Sequence, residues 1–423
     1  MRSSHESRVY GNSVGNAHTN ESPDMNQSRP RILFISPQPY FERRGSPIRV
    51  SFNMLALSEC GFDVDLLCLP FGEDHETPHV QVIRVGNLFG LRTIPIGPSI
   101  WKIPFGFKLW ARARQLLRQH DYKAIHVVED AGWIGVTLAR NAGIKCVFEK
   151  HSDPASYRKG WLRNSIMWLY GKVEAWVIRH ADAVIGTGPG LVAQAQKQSP
   201  ATSAYHIFDI PSSLAEPDSD RVTEVRAMLQ QDPDELLIAY VGSFAVYQGI
   251  DLLFAAIPPV VSRAVGVRFV IIGGTEAEIA QRRTALGPAA EAVTFVGSVH
   301  PDDLPNYLAA ADVLMSCRLS GTNTPLKLLD YLKAGRCIVA VDSEANRLIL
   351  DESLAQFSQP NPTALADAIL QLVEDRAKRD ALASAGRSLI DTTYNYAEFK
   401  SRLANVYSGL MPNTNTTKDS LGR

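Results

Sequence analysis

Cysteine is scarce, long apolar runs are missing, and charge is nearly balanced. The 423 residues include five cysteines, Cys60, Cys68, Cys146, Cys317 and Cys337. Their number is odd, and no spacing among them suits a zinc site or a disulfide framework, so a reducing compartment is the expectation. No uncharged apolar run reaches the roughly 18 residues of a membrane-spanning helix. The first thirty residues lack the apolar stretch of a secretory signal. They read as a polar, disordered leader over 1–30, with a similar tail over 412–423. A formal net charge of −1 argues against a general nucleic-acid binder. The fingerprint G-x-G-x-x-G does not occur after the first strand, where the loop holds one glycine. That counts against a dinucleotide site, and no cofactor is expected.

What the chain does contain is a soluble-type composition, 45% hydrophobic and 21% charged, arranged as repeated strand–helix units. Ile32–Ser36 reads as a strand, a polar loop follows through Arg44 and Gly45, and Ser46-Pro47 starts an amphipathic helix that Gly61 ends. Further strands fit Val64–Leu69, Val80–Val85, Ala124–Val128, Lys145–Glu149, Ala183–Gly186 and Ala204–Phe208. A turn-rich stretch from Pro211 to Asp220 then reads as a linker. Alternation resumes with strands at Leu236–Val241, Val267–Ile272, Val293–Val296, Val313–Ser316 and Cys337–Val341. The expected class is α/β, with two doubly wound domains over 31–212 and 213–394. A C-terminal helix over 395–411 is expected to return to the first domain. Ligand is expected in the cleft where the carboxyl edges of the two parallel sheets face each other.

The stretch from Ser320 to Gly335 is the most informative. Thr324 suits an N-cap, Pro325 the first helical position, and Gly335 the position just past the end. Asn323, Lys327 and Asp330 share a face at 3.6 residues per turn. A helix N-terminus beside a lysine suits a phosphate, and the carboxylate one turn on suits a ribose hydroxyl. A solvated lysine–aspartate pair on an ordinary capped helix accounts for the same pattern.

Four pieces together resemble family 4 of the retaining glycosyltransferases. They are Tyr240-Val241-Gly242-Ser243-Phe244 with Tyr247-Gln248-Gly249-Ile250-Asp251; Val270-Ile271-Ile272-Gly273-Gly274; Thr294-Phe295-Val296-Gly297 leading to Ala311-Asp312-Val313; and the stretch just described. The resemblance runs from about Arg31 to Gly409, and the Asn-Thr-Pro-Leu-Lys run is similar to that of one subgroup. It implies two Rossmann-like domains, each a parallel sheet with helices on both faces, facing across a cleft. It also implies metal-independent, retaining transfer of a sugar from a UDP- or GDP-type donor to a glycan or lipid-linked acceptor. The donor-site residues it implies are Arg44, Gly45, Gly242, Ser243, Gln248, Gly297, Thr322, Asn323, Thr324, Leu326, Lys327 and Asp330. His151 and Asp153 would stand by the reacting sugar as the candidate catalytic pair, and no nucleophile is implied. The chain departs from the family pattern at Ser243 and Gln248, where basic residues are usual. It also departs at Thr322, where the first of two acids is usual, and at Asp330, which shortens the second. The departures at Gln248 and Thr322 leave open a non-catalytic nucleotide-sugar-binding relative acting as a partner or regulatory protein, and a nucleotide-sugar epimerase on the same fold is a second alternative.

All six tryptophans lie between Trp101 and Trp176. Trp101–Arg118 carries Lys102, Lys108, Arg112, Arg114 and Arg118 with no acid. Arg158, Lys159, Arg163 and Lys172 surround Trp161, Trp168 and Trp176. Basic and aromatic residues together suit an anionic membrane surface; aromatics packed on the sheet are the equal alternative. The expected location is cytoplasmic, with the inner face of the membrane as the surface in question.

Overall fold

Brief runs rich in Val, Ile, Leu and Phe bury both faces of a strand only when helices cover both sides of a parallel sheet. A computed structural model of the chain describes residues 29–41, 45–88, 90–92, 94, 102–153, 160–320 and 325–411, with backbone only at 160–163. It contains two such sheets. The first holds β1 (Arg31–Ile35), β2 (Asp63–Cys68), β3 (Val80–Arg84), β4 (Tyr122–Val128), β5 (Lys145–Lys150), β6 (Ala183–Gly186) and β7 (Ser203–His206). The second holds β8 (Leu236–Val241), β9 (Val267–Ile272), β10 (Val293–Val296), β11 (Val313–Ser316), β12 (Cys337–Val341) and β13 (Gln356–Ser358). Their orders are β3-β2-β1-β4-β5-β6-β7 and β10-β9-β8-β11-β12-β13. The pairings that tie each switch point, β1 with β4 and β8 with β11, are parallel, as are their neighbours.

In each sheet the strand order reverses once, between β1 and β4 and between β8 and β11. Loops leaving the carboxyl ends there turn to opposite faces and open a crevice. The segments after β1, β4, β5, β8 and β11, which carry most of the expected site residues, all leave from these ends.

Two elements join the halves. The polar linker is shorter than its composition predicts: Asp218 caps a helix at Ser219–Leu229 by accepting the amides of Asp220 and Arg221. The C-terminal helix Tyr396–Leu410 packs on the first sheet. Its Phe399, Leu403, Val406 and Tyr407 are buried with Ile32, Phe34 and Ala124, and the Tyr407 hydroxyl lies 2.8 Å from His126 Nδ1. No described helix is long and apolar enough to cross a membrane. The five cysteines are all unpaired thiols.

Candidate functional site

The helix that opens beyond β11 spans Leu326–Lys333. It starts one residue later than the sequence predicts, because Pro325 takes an extended ψ of 96° and serves as the N-cap, its carbonyl receiving the amide of Leu328 at 2.8 Å. Gly335 ends it with φ +61°, a left-handed conformation that glycine adopts without a Cβ penalty. Thr322, Asn323 and Thr324 lie outside the described residues, as do Arg44, Trp101, Arg158, Lys159 and the side chains of Trp161 and Arg163.

Lys327 reaches back toward β8. Its Nζ donates to Gln248 Oε1 at 2.7 Å and sits 4.9 Å over the Tyr240 ring. Gly242 completes this corner. Its φ is +151°, and a Cβ there would lie 3.0 Å from the Tyr240 hydroxyl and 3.7 Å from Lys327 Nζ. The Ser243 carbonyl is held by the Tyr240 hydroxyl at 2.9 Å, while the serine itself is exposed. Lys327, Gln248, Gly242 and Ser243 therefore share one corner at the β8–β11 switch point. Gly297 ends β10 at the same sheet edge, two strands away from β8.

Arg318 belongs to this corner and was missed by motif matching. It stands two residues beyond β11, its Nε donates to the Ser320 carbonyl at 3.0 Å, and its guanidinium lies 6.0 Å over Tyr247. Burial pushes Lys327 down to about 8, and the Arg318 charge adds to that shift. Burial also lowers Arg318. Among the described residues neither cation has a carboxylate partner. Two partly desolvated like charges with no acid beside them among the described residues are an arrangement that can receive an anion. The available signal was position: a cation two residues past the end of a strand that precedes the capped helix.

Asp330 and Lys327 diverge. Three residues along a helix separate side chains by about 60° around the axis, and Asp330 turns to the linker. Its Oδ1 accepts the Ser212 amide at 2.6 Å and its Oδ2 the Ser212 hydroxyl at 2.8 Å. Burial raises its carboxyl to about 6 in spite of these bonds. Lys333 fastens the same linker through the carbonyls of Ser213 at 2.9 Å and Ala215 at 2.7 Å. Leu326 also faces away from the cation corner. It lines a small cavity with Ile48, Arg49, Asp209 and Phe399 of the first half. Gly45 begins the Gly45–Glu59 helix after β1, with φ +29°.

In the first half, His151 stands just beyond β5 and is buried. Its amide donates to Glu129 Oε1 at 2.6 Å, and its Nε2 lies 3.0 Å from Glu149 Oε1. Its Nδ1 is buried and has no hydrogen-bond partner among the described residues. Glu149 is fully buried and gathers Arg49, Asn53 Nδ2 at 2.7 Å and His126 Nε2 at 2.9 Å. Burial alone would raise its pKa. The Arg49 charge and the two histidine hydrogen bonds override that and hold it well below the usual carboxylate range. With an ionised acceptor on Nε2, the neutral imidazole carries its proton there and presents Nδ1 as an acceptor. His126 is fully buried between Glu149 and Tyr407 and holds these two side chains in place. Asp153 follows His151 in the same loop and its charge acts on Glu174. Glu129 has φ +48°, rare for a non-glycine residue, and burial raises its carboxyl.

Two family models match the chain. "Glycosyl transferase 4-like domain" covers residues 45–207 and "Glycosyl transferases group 1" covers residues 235–375. Together they span well over half of the sequence, one on each sheet. A GDP-mannose-dependent alpha-(1-6)-phosphatidylinositol monomannoside mannosyltransferase from Mycobacterium tuberculosis is 29% identical over 341 residues, 74% of this chain and 82% of that protein. The phosphatidyl-myo-inositol mannosyltransferase of the same species is 27% identical over 166 residues, 38% of this chain; that match spans only 43% of the relative's length. Among solved structures, sucrose-phosphate synthase from Thermosynechococcus elongatus superposes with a TM-score of 0.72 at 23% identity, covering 90% of this chain and 99% of that one. HepE from Anabaena, solved in complex with UDP and glucose, gives 0.66 at 16% identity, covering 90% and 100%. At these identities the two structures speak for the fold alone. With both family models in chain order, each on its own doubly wound sheet, the chain belongs to the family 4 glycosyltransferases.

Proposed function

We propose that the protein transfers a sugar, with retention at the anomeric carbon and without a bound metal, from a nucleotide-diphosphate donor to a glycan or lipid-linked acceptor. The observation that carries this reading is the pair Lys327 and Arg318, two cations at the β8–β11 switch point with no carboxylate partner among the described residues. As the bond from the anomeric carbon to the phosphate oxygen breaks, negative charge grows on the leaving diphosphate. The two cations meet that charge, with Gly242 leaving room for the phosphates. Preorganised donors of this kind are each worth roughly 2.7–4 kcal/mol in comparable sites. Arg318 thereby replaces basic residues that the family usually carries near Ser243 and Gln248.

Asp330 takes the ribose hydroxyls by exchanging its bonds to Ser212. His151 Nδ1 accepts a hydroxyl of the transferred sugar. On the retained face a phosphate oxygen takes the acceptor's proton while the acceptor oxygen bonds to the anomeric carbon, so no protein nucleophile is needed. GDP-mannose is the first donor to test, since the relative matched over 341 residues is named for it. UDP is the second, since the HepE structure was solved with it.

Calorimetric titration of GDP, UDP and the corresponding monophosphates tests the reading. One diphosphate should bind at least tenfold more tightly than its monophosphate. In Arg318→Ala that preference should collapse, and with a chelator present sugar transfer should continue. An unchanged diphosphate preference in the variant removes Arg318 from the site, and turnover abolished by chelator refutes the metal-independent route.

A further inference from the structure

A groove of about 640 Å³ runs through the first half, between the Lys102–Gln119 and Gly160–His180 helices. Cavities of that size hold ligands rather than single waters. Its floor is hydrocarbon: Phe105, Leu109, Ile134 and Phe148 line it and are at most 2% exposed. Its lip is apolar yet open to solvent, with Phe107 63% and Leu169 59% exposed. One end is polar. Glu129, Asp130, Tyr170 and Glu174 converge there, with Tyr170 donating to Asp130 at 2.7 Å and the buried Lys150 paired to Glu174. Glu129 links that end to the candidate catalytic loop, because the same carboxylate receives the amide of His151.

We propose that this groove binds the hydrocarbon chain of an amphiphilic acceptor and holds its hydroxylated head at the Glu129–His151 end. The proposal rests on the glycosyl-transfer reading above and narrows its acceptor. A free glycan would press hydroxyls against Phe105, Leu109 and Phe148 with nothing to bond them, at a desolvation cost. An amphiphile matches both ends. Carboxylates at the inner end accept hydroxyl protons, and the floor takes the chain. The lip also carries charge that a lipid source would meet: Lys172 lies 5.4 Å over the exposed Trp168, beside Leu169, while Lys102 is paired to Asp130 at 3.4 Å at the polar end. The helix Lys102–Gln119 has no acidic residue.

A homologous series of alkyl glucosides, each kept below its critical micelle concentration, tests this on the full chain by calorimetry. Binding should saturate at one site and tighten by about fourfold for each methylene buried, while methyl glucoside binds far more weakly. Leu169→Asp changes an exposed position that the fold tolerates, and it should weaken octyl glucoside binding at least tenfold. A nucleotide titration on the same samples reports on the second half. Nucleotide binding lost with chain binding intact would sink the transfer reading and leave the groove standing. Affinity independent of chain length overturns the proposal. So does adsorption of the Leu169→Asp protein to anionic vesicles at parental strength with no saturable binding of monomeric glucoside.

Discussion

Lys327 is expensive to fold. A lysine whose pKa falls from 10.5 to about 8 in the folded protein binds fewer protons folded than unfolded across that interval. Stability therefore rises with pH between about 8 and 10.5, and the full cost is present below 8. Lys327→Met should stabilise the protein at pH 7 by on the order of 2 kcal/mol, read as a raised unfolding midpoint. The same variant should bind nucleotide diphosphate at least tenfold more weakly. The parent should lose affinity above pH 8 as the Lys327 ammonium gives up its proton, and the variant should show no such decline. A variant less stable than its parent would mean that the ammonium is better solvated than its setting suggests. Lys327 and Gly242 were legible from sequence because helix framing and strand-end glycines are local patterns. Arg318 was not, since its role depends on where β11 ends. The Asp330–Ser212 contact was not either, since it joins residues 118 positions apart. The aromatic-basic stretch divides in the structure. Trp110, Trp133 and Trp176 pack against the core, as the sheet-packing reading predicts, while Trp168, Ile103 and Ile166 face solvent.

The helix Leu326–Lys333 serves two masters as an element. One side carries Lys327 to the cation corner; the other holds the linker through Asp330 and Lys333. If Asp330 exchanges Ser212 for a ribose, removing the Ser212 hydroxyl should favour the nucleotide. Ser212→Ala should tighten nucleotide diphosphate binding about threefold or more and leave pyrophosphate binding, which involves no ribose, unchanged. That size is on the order of one lost hydrogen bond. Equal effects on both ligands would place Asp330 outside the ribose site. Most strands were readable from their apolar runs, and β8, β9, β10, β11 and β12 fall on the predicted residues. β13 was not, because Gln356-Phe357-Ser358 is too short to show a period; it pairs with β12 at the edge of the sheet. The helix start slipped by one residue because proline fixes its φ but leaves ψ free, and Pro325 takes an extended ψ of 96°.

The whole molecule is stitched by its last described helix. Tyr396–Leu410 belongs in sequence to the second half and in packing to the first, where it buries Phe399 and Tyr407 and joins His126 by a hydrogen bond. Cutting the chain after Thr393 should therefore unfold the half that was not cut. The expected sign is rapid proteolysis within 45–207, while fragments from 235–375 persist. Equal protease resistance in the two halves would refute this. The same arrangement sets a schedule during synthesis. β1 to β7 leave the ribosome long before residue 399, so one face of that sheet waits for its cover while some two hundred further residues are made. At roughly 5–20 residues per second, the wait is on the order of 10–40 seconds, during which Phe34 and its neighbours are exposed to chaperones and to other nascent chains.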